Sequence, residues 1–165
     1  MATLAPQVGK QLAGSFRMVE NVQRVFSELK IKDSDIFLPT ASLYLFAFLR
    51  ASQAESIKID RHTLKKTYDN LASFLVVNYL KQYGGSGDPD TLVNDLTSRT
   101  GVLMKTWDEN LNNEPSPHWY VAKEVWLRFQ PDPHPVGVGL LSNLHSNSTI
   151  VFVKILAGIQ DAGLM

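Results

Sequence analysis

The chain is 165 residues long, 44% hydrophobic and 19% charged, which suits one domain with a core of its own and excludes a disordered chain. Its 16 Lys and Arg balance 16 Asp and Glu, so no net charge draws it to phosphate backbones and none holds copies of it apart. With no cysteine, a disulfide framework, a thiolate metal site, a cysteine nucleophile and an iron–sulfur cluster are all excluded.

Residues 1–14 carry one Lys and no apolar stretch of the kind a secretory signal needs. The longest apolar run, 43–49, is followed by Arg50 and is far too short to span a bilayer. A soluble, cytoplasmic protein is therefore expected. No repeat and no low-complexity linker divides the chain, so residues 1–165 read as a single helical domain.

A first helix is predicted over residues 10–30, where Leu12, Phe16, Val19, Val22, Phe26 and Leu29 recur at three- and four-residue steps and form one stripe. Residues 31–35 read as a polar connector. A second helix is predicted to begin near Pro39, because proline suits a first turn. Its run Leu43-Tyr44-Leu45-Phe46-Ala47-Phe48-Leu49 is apolar on every side, the mark of a buried central helix.

A third helix is predicted from the Asp60 cap to Tyr83 before Gly84 and Gly85. It is nearly all apolar between Leu71 and Leu80, so it too is expected to cross the middle of the domain. Asp88-Pro89 opens a fourth helix, with Leu92, Leu96, Leu103, Trp107 and Leu111 on one side and Asn112-Asn113 at its end. Gly101 interrupts it at a cost of about 1 kcal/mol against alanine, unless a neighbouring backbone needs the space.

Ser116-Pro117 opens a fifth helix to about Gln130, with Val121, Ala122, Val125, Trp126 and Phe129 inward. Pro131, Pro133 and Pro135 then break any helix. A last helix is predicted from Asn147 or Ser148, although Thr149-Ile150-Val151-Phe152-Val153 is β-branched enough for a strand. The fold class is thus all-α, a bundle of five to six helices with a short irregular or β-like tail as the open point.

Motifs for chemistry are scarce. No two of His62, His118, His134 and His145 have the spacing that puts two metal ligands on one helix face. A cluster of His118, Glu124, Asp132 and His134 is the one metal set that can be composed, against the simpler reading of surface histidines. Ser142, His145 and Asp132 lie near one another along the chain without any other triad signature. Gly84-Gly85-Ser86-Gly87 lacks the Lys-Ser/Thr of a phosphate loop and is followed by acids, so it reads as a turn. Neither a cofactor nor a metal is called for.

The contact residues are more suggestive. The leading expectation is a non-enzymatic helical interaction protein, an adaptor, assembly subunit or small regulator, that binds another protein or a second copy of itself. Its candidate contacts are Trp119, Tyr120, His134, Leu164 and Met165. The charged fraction, a little under the usual value of about 25%, hints that some surface is covered. The alternative is an apolar small molecule held between helices by Phe46, Phe48, Tyr68, Phe74, Trp107 and Trp126, against the plainer reading of a filled core. DNA binding through Arg61, Lys65 and Lys66 is weighed against an ordinary solvated helix end, which a cluster this small favours. An enzyme without a recognisable motif is the remaining alternative.

Overall fold

The computed structural model describes residues 24, 26–84 and 87–163. Among them are five complete helices and no strand: α1 (Asp33–Ser52), α2 (Arg61–Tyr83), α3 (Pro89–Glu109), α4 (Pro117–Trp126) and α5 (Pro135–Asp161). The predicted first helix lies outside the described residues except at its end, where Arg24 and residues 26–28 are helical. Phe26 is buried there, stacked on Trp126 at 5.2 Å and edge-on to Phe129 at 4.8 Å.

Helix α1 is the axis of the bundle. Ala41, Leu43, Leu45, Phe46, Ala47, Phe48 and Ala51 are all buried, and the other four helices pack around it. A helix apolar on all sides can be satisfied only in that position. It begins six residues before Pro39, which sits inside it. The apolar stripe continues backward through Ile36, a core residue, so burial outweighs the usual penalty of an interior proline.

The second apolar run behaves differently. In α2 only Ala72 and Val76 are buried, while Phe74 is 63% exposed and Val77 faces outward with it. The expectation that this helix crosses the middle is corrected: α2 lies on the flank, against α1 and α3. One central place exists, and α1 fills it. Asp60 caps α2 by accepting from the His62 and Thr63 amides at 2.9 and 3.0 Å, and Gly84 ends it in the left-handed conformation at φ 64°.

Asp88 caps α3. That helix ends at Glu109 rather than at Asn112, so Leu111 falls beyond it and is exposed, not inward as predicted. Helix α4 begins on the Ser116 cap and ends at Trp126, four residues short of Gln130. The largest departure is α5. The proline segment does not only break a helix; it starts one. Pro135 occupies the first turn, and the His134 ring accepts from the Gly137 amide at 3.2 Å. The helix then runs unbroken through the β-branched stretch, which removes the strand alternative. Val138, Leu141, Leu144, His145, Ser148 and Leu156 form its buried stripe, and tertiary burial overrides strand propensity there.

The core has three parts. One joins α1, α3, α4 and α5 around Phe46, Leu103, Trp107, Trp126 and Leu141. A second joins α1, α2 and α3 around Leu45, Val76 and Leu96. The third sets Phe48 and Ala51 of α1 against Ile57 and Leu156. Gln160 ties the end of α5 to the α1–α2 loop through the Lys58 amide and the Ser56 carbonyl. No described helix is long and apolar enough to cross a membrane.

Candidate functional site

Helices α2 and α3 are antiparallel and close-packed near the loop that joins them, where Leu71, Ala72, Leu75, Val76 and Leu80 meet Leu92, Val93 and Leu96. Toward the other end a groove of about 530 Å³ opens between them. Arg61, Leu64, Lys65 and Tyr68 of α2 line one wall. Thr97, Thr100, Gly101 and Met104 of α3 line the other, and Leu49 of α1 lies between. Each helix offers positions i, i+3, i+4 and i+7, the spacing that turns four side chains to one side. Seven residue steps along a helix span about 10 Å, or two turns.

The two walls differ. The α2 wall carries Arg61 and Lys65 one turn apart, and among the described residues no Asp or Glu lines the groove. Arg61 makes no ion pair among the described residues, and Lys65 meets Asp69 in a solvent-exposed pair. The α3 wall is uncharged and low. A Cβ placed on Gly101 would meet nothing within 4 Å, so no described backbone uses the space that the glycine leaves. An interior helical glycine costs about 1 kcal/mol against alanine. Gly101→Ala is accordingly expected to raise stability by about that amount, seen as a higher midpoint in thermal unfolding. A loss of stability would mean that the position is packed.

A second polar feature lies inside the bundle. His118, in the first turn of α4, and His145, midway along α5, bring their Nδ1 atoms to 2.8 Å. Phe46 stacks on the His145 ring at 4.9 Å, Trp107 stands edge-on to both rings, and the Arg50 guanidinium lies 4.5 Å over Trp107. His145 is fully buried, and its Nε2 has no hydrogen-bond partner among the described residues. We assign the shared proton to His145 Nδ1, donated to His118 Nδ1, because the reverse would enclose an unpaired N–H in place of a bare lone pair. Burial, then the charges of His118 and Arg50, push the His145 pKa down to about 3. Burial and then Arg50 lower that of His118. Both rings are neutral near pH 7. The His145 ring is wholly enclosed and borders no space that a substrate could enter, so its role is packing, with the half-buried His118 as its hydrogen-bond partner.

The metal cluster composed from sequence is not assembled. His118 faces His145 rather than His134, Glu124 pairs with Arg128, and the Asp132 carbonyl accepts from Trp126 Nε1. Among the described residues no three His, Asp or Glu side chains converge on one point. Ser142, His145 and Asp132 form no triad, since His145 Nδ1 is taken by His118 and Nε2 is enclosed.

The expected contact residues are scattered. Trp119 is half-buried against the core, and Tyr120 donates its hydroxyl to the Glu114 carbonyl. His134 caps α5 and stacks on Trp126 at 5.6 Å. Leu164 and Met165 lie outside the described residues. Of the aromatic set, Phe46, Phe48, Trp107 and Trp126 fill the interior. Tyr68 reaches the groove, and Phe74 faces outward, so the six line no common space. Arg61 and Lys65 stand on the groove wall, whereas Lys66 is not part of it. Two signals for the groove were legible, the basic pair and the unexplained Gly101. That they face each other is a matter of tertiary packing.

The chain matches no protein-family model, and comparison with curated proteins and with solved structures gives no match.

Proposed function

We propose that this chain is a helical interaction protein that works by contact and receives a segment of another polypeptide in the groove between α2 and α3. One observation carries the reading. Two neighbouring helices turn matched four-residue faces to the same open groove, and the glycine on one wall has no packing partner among the described residues. Helix pairs of this kind hold a third segment by placing its apolar side chains between them. Leu49, Leu64, Tyr68 and Met104 supply the apolar surface. An adaptor, an assembly subunit and a small regulator all use such a groove in the same way.

A photoreactive amino acid in place of Thr97, on the groove wall, tests the reading. Irradiation in the host cell is expected to join the chain to a second polypeptide, and Gly101→Trp, which fills the groove, is expected to abolish the adduct. The same probe at Lys154, exposed on α5, should give none. Light scattering on the purified protein separates the two kinds of partner, since a doubled mass identifies a second copy. Adducts that are equal at both positions, or that survive Gly101→Trp, would refute the reading.

A further inference from the structure

We infer that the groove takes an acidic amphipathic helix, about two turns of which lie between α2 and α3 with carboxylates toward Arg61 and Lys65 and a small residue over Gly101. The inference rests on the contact reading above and adds the chemistry of the partner.

The backbone of the occupant follows from the walls. Past the Asp60-capped first turn of α2, both are helices whose amides and carbonyls are bonded within themselves, and no described strand offers an edge. An extended segment buried there would leave its own backbone groups unpaired, whereas a helix satisfies them internally.

Its charge follows from the lining. Two cations stand on one wall, and among the described residues the acid that meets Lys65, Asp69, is not part of the groove lining. Asp60, the nearest carboxylate along the chain, is engaged by the amides that it caps. Lys65 can turn from Asp69 at little cost, because a pair exposed on both sides contributes little. Arg61 has no ion-pair partner among the described residues to give up. The apolar base excludes a fully charged ligand, and two cations are too few for a nucleic acid, whose affinity comes from many phosphate contacts. The chain's own residues 1–23 hold Lys10 and Arg17 against the single acid Glu20, so their charge does not complement the wall.

Its approach follows from Gly101. The wall carries no side chain there, so a helix crossing at that point comes close only if it too presents a small residue.

Three synthetic helical peptides of about 18 residues, long enough to populate helix alone, test this against the full chain. They share one leucine face and a central alanine and differ in a polar face of Glu, Gln or Lys. By fluorescence anisotropy at low salt, the Glu peptide is expected to bind about two- to fivefold more tightly than the Gln peptide, the net gain of one exposed ion pair, since Lys65 exchanges Asp69 for a peptide carboxylate. The Lys peptide should bind most weakly. Added salt should erase the difference. Arg61→Glu with Lys65→Glu should reverse the order, and Gly101→Leu should abolish binding of all three while thermal unfolding shows the fold intact.

Equal binding of the three peptides would overturn the acidic assignment and leave the contact reading standing. Binding of a labelled single-stranded oligonucleotide in place of the peptides would overturn the protein assignment. Failure of all three peptides would overturn the inference, and the Thr97 adduct decides the contact reading separately.

Discussion

Lowering the pH from 6.5 to 5 is expected to cost the fold about 2 kcal/mol, and His145→Phe is expected to remove most of that loss. An unfolded histidine takes a proton near pH 6.5, whereas buried His145 resists protonation until about pH 3. Between those values the unfolded chain holds more protons, so stability falls as the pH falls, by about 1.4 kcal/mol per unit. His118 acts in the same direction just below pH 6.5, since its pKa is also lowered. Asp60 and Asp88 cannot blur the result. Their pKa values are lowered from 3.8, so their contributions are lost only in more acid solution.

Phenylalanine at 145 keeps the ring against Phe46 and removes the enclosed Nε2. It leaves His118 Nδ1 without its partner, but that ring is half-buried and within reach of water. Stability of the variant at pH 7 should therefore change little. Urea unfolding followed by circular dichroism at pH 7, 6 and 5 gives the slope for both proteins. Parallel slopes would mean that His145 is not enclosed as described.

The histidine pair also marks the limit of what the sequence discloses. Its members are 27 positions apart and sit on two helices that pack together, with Trp126 of one against Gly137 of the other. No spacing rule joins them. The caps at Asp60, Asp88 and Ser116, the stop at Gly84 and the burial of α1 are local, and local chemistry announced each one. Pro39 and Pro135 show where local signals compete. Both suit a first turn, yet Pro39 lies within α1 because the apolar stripe begins at Ile36, and Pro135 begins a helix directly after the helix-breaking Pro131 and Pro133. The run around Phe74 misled for a related reason. Apolar content on all sides predicts a central place, but a bundle this small has one axis. A second such helix keeps a bare face, with Phe74 and Val77 outward.

The same dependence on packing sets the sign of a change at Gly137. Alanine is the better helix former by about 1 kcal/mol, so by propensity Gly137→Ala should stabilise α5. Its Cβ, however, would overlap Trp126 Cζ3 and Cη2 and lie 2.7 Å from Cε3, against about 3.5 Å for carbon atoms in contact. Trp126 has nowhere to go. It is wholly buried, stacked on Phe26 and on His134, and its Nε1 donates to the Asp132 carbonyl at 3.0 Å. Either the indole leaves this slot or the first turn of α5 lifts off α4, and each opens a void in the main core. The expected cost is about 3 kcal/mol or more, the upper range for an overpacked site. Trp126→Phe removes the clashing bulk, so the double variant should lose less than the two single losses added together. A cycle of four proteins measured by urea unfolding checks this. If Gly137→Ala proved neutral, or if the two losses simply added, α4 and α5 would not meet through this ring and this glycine.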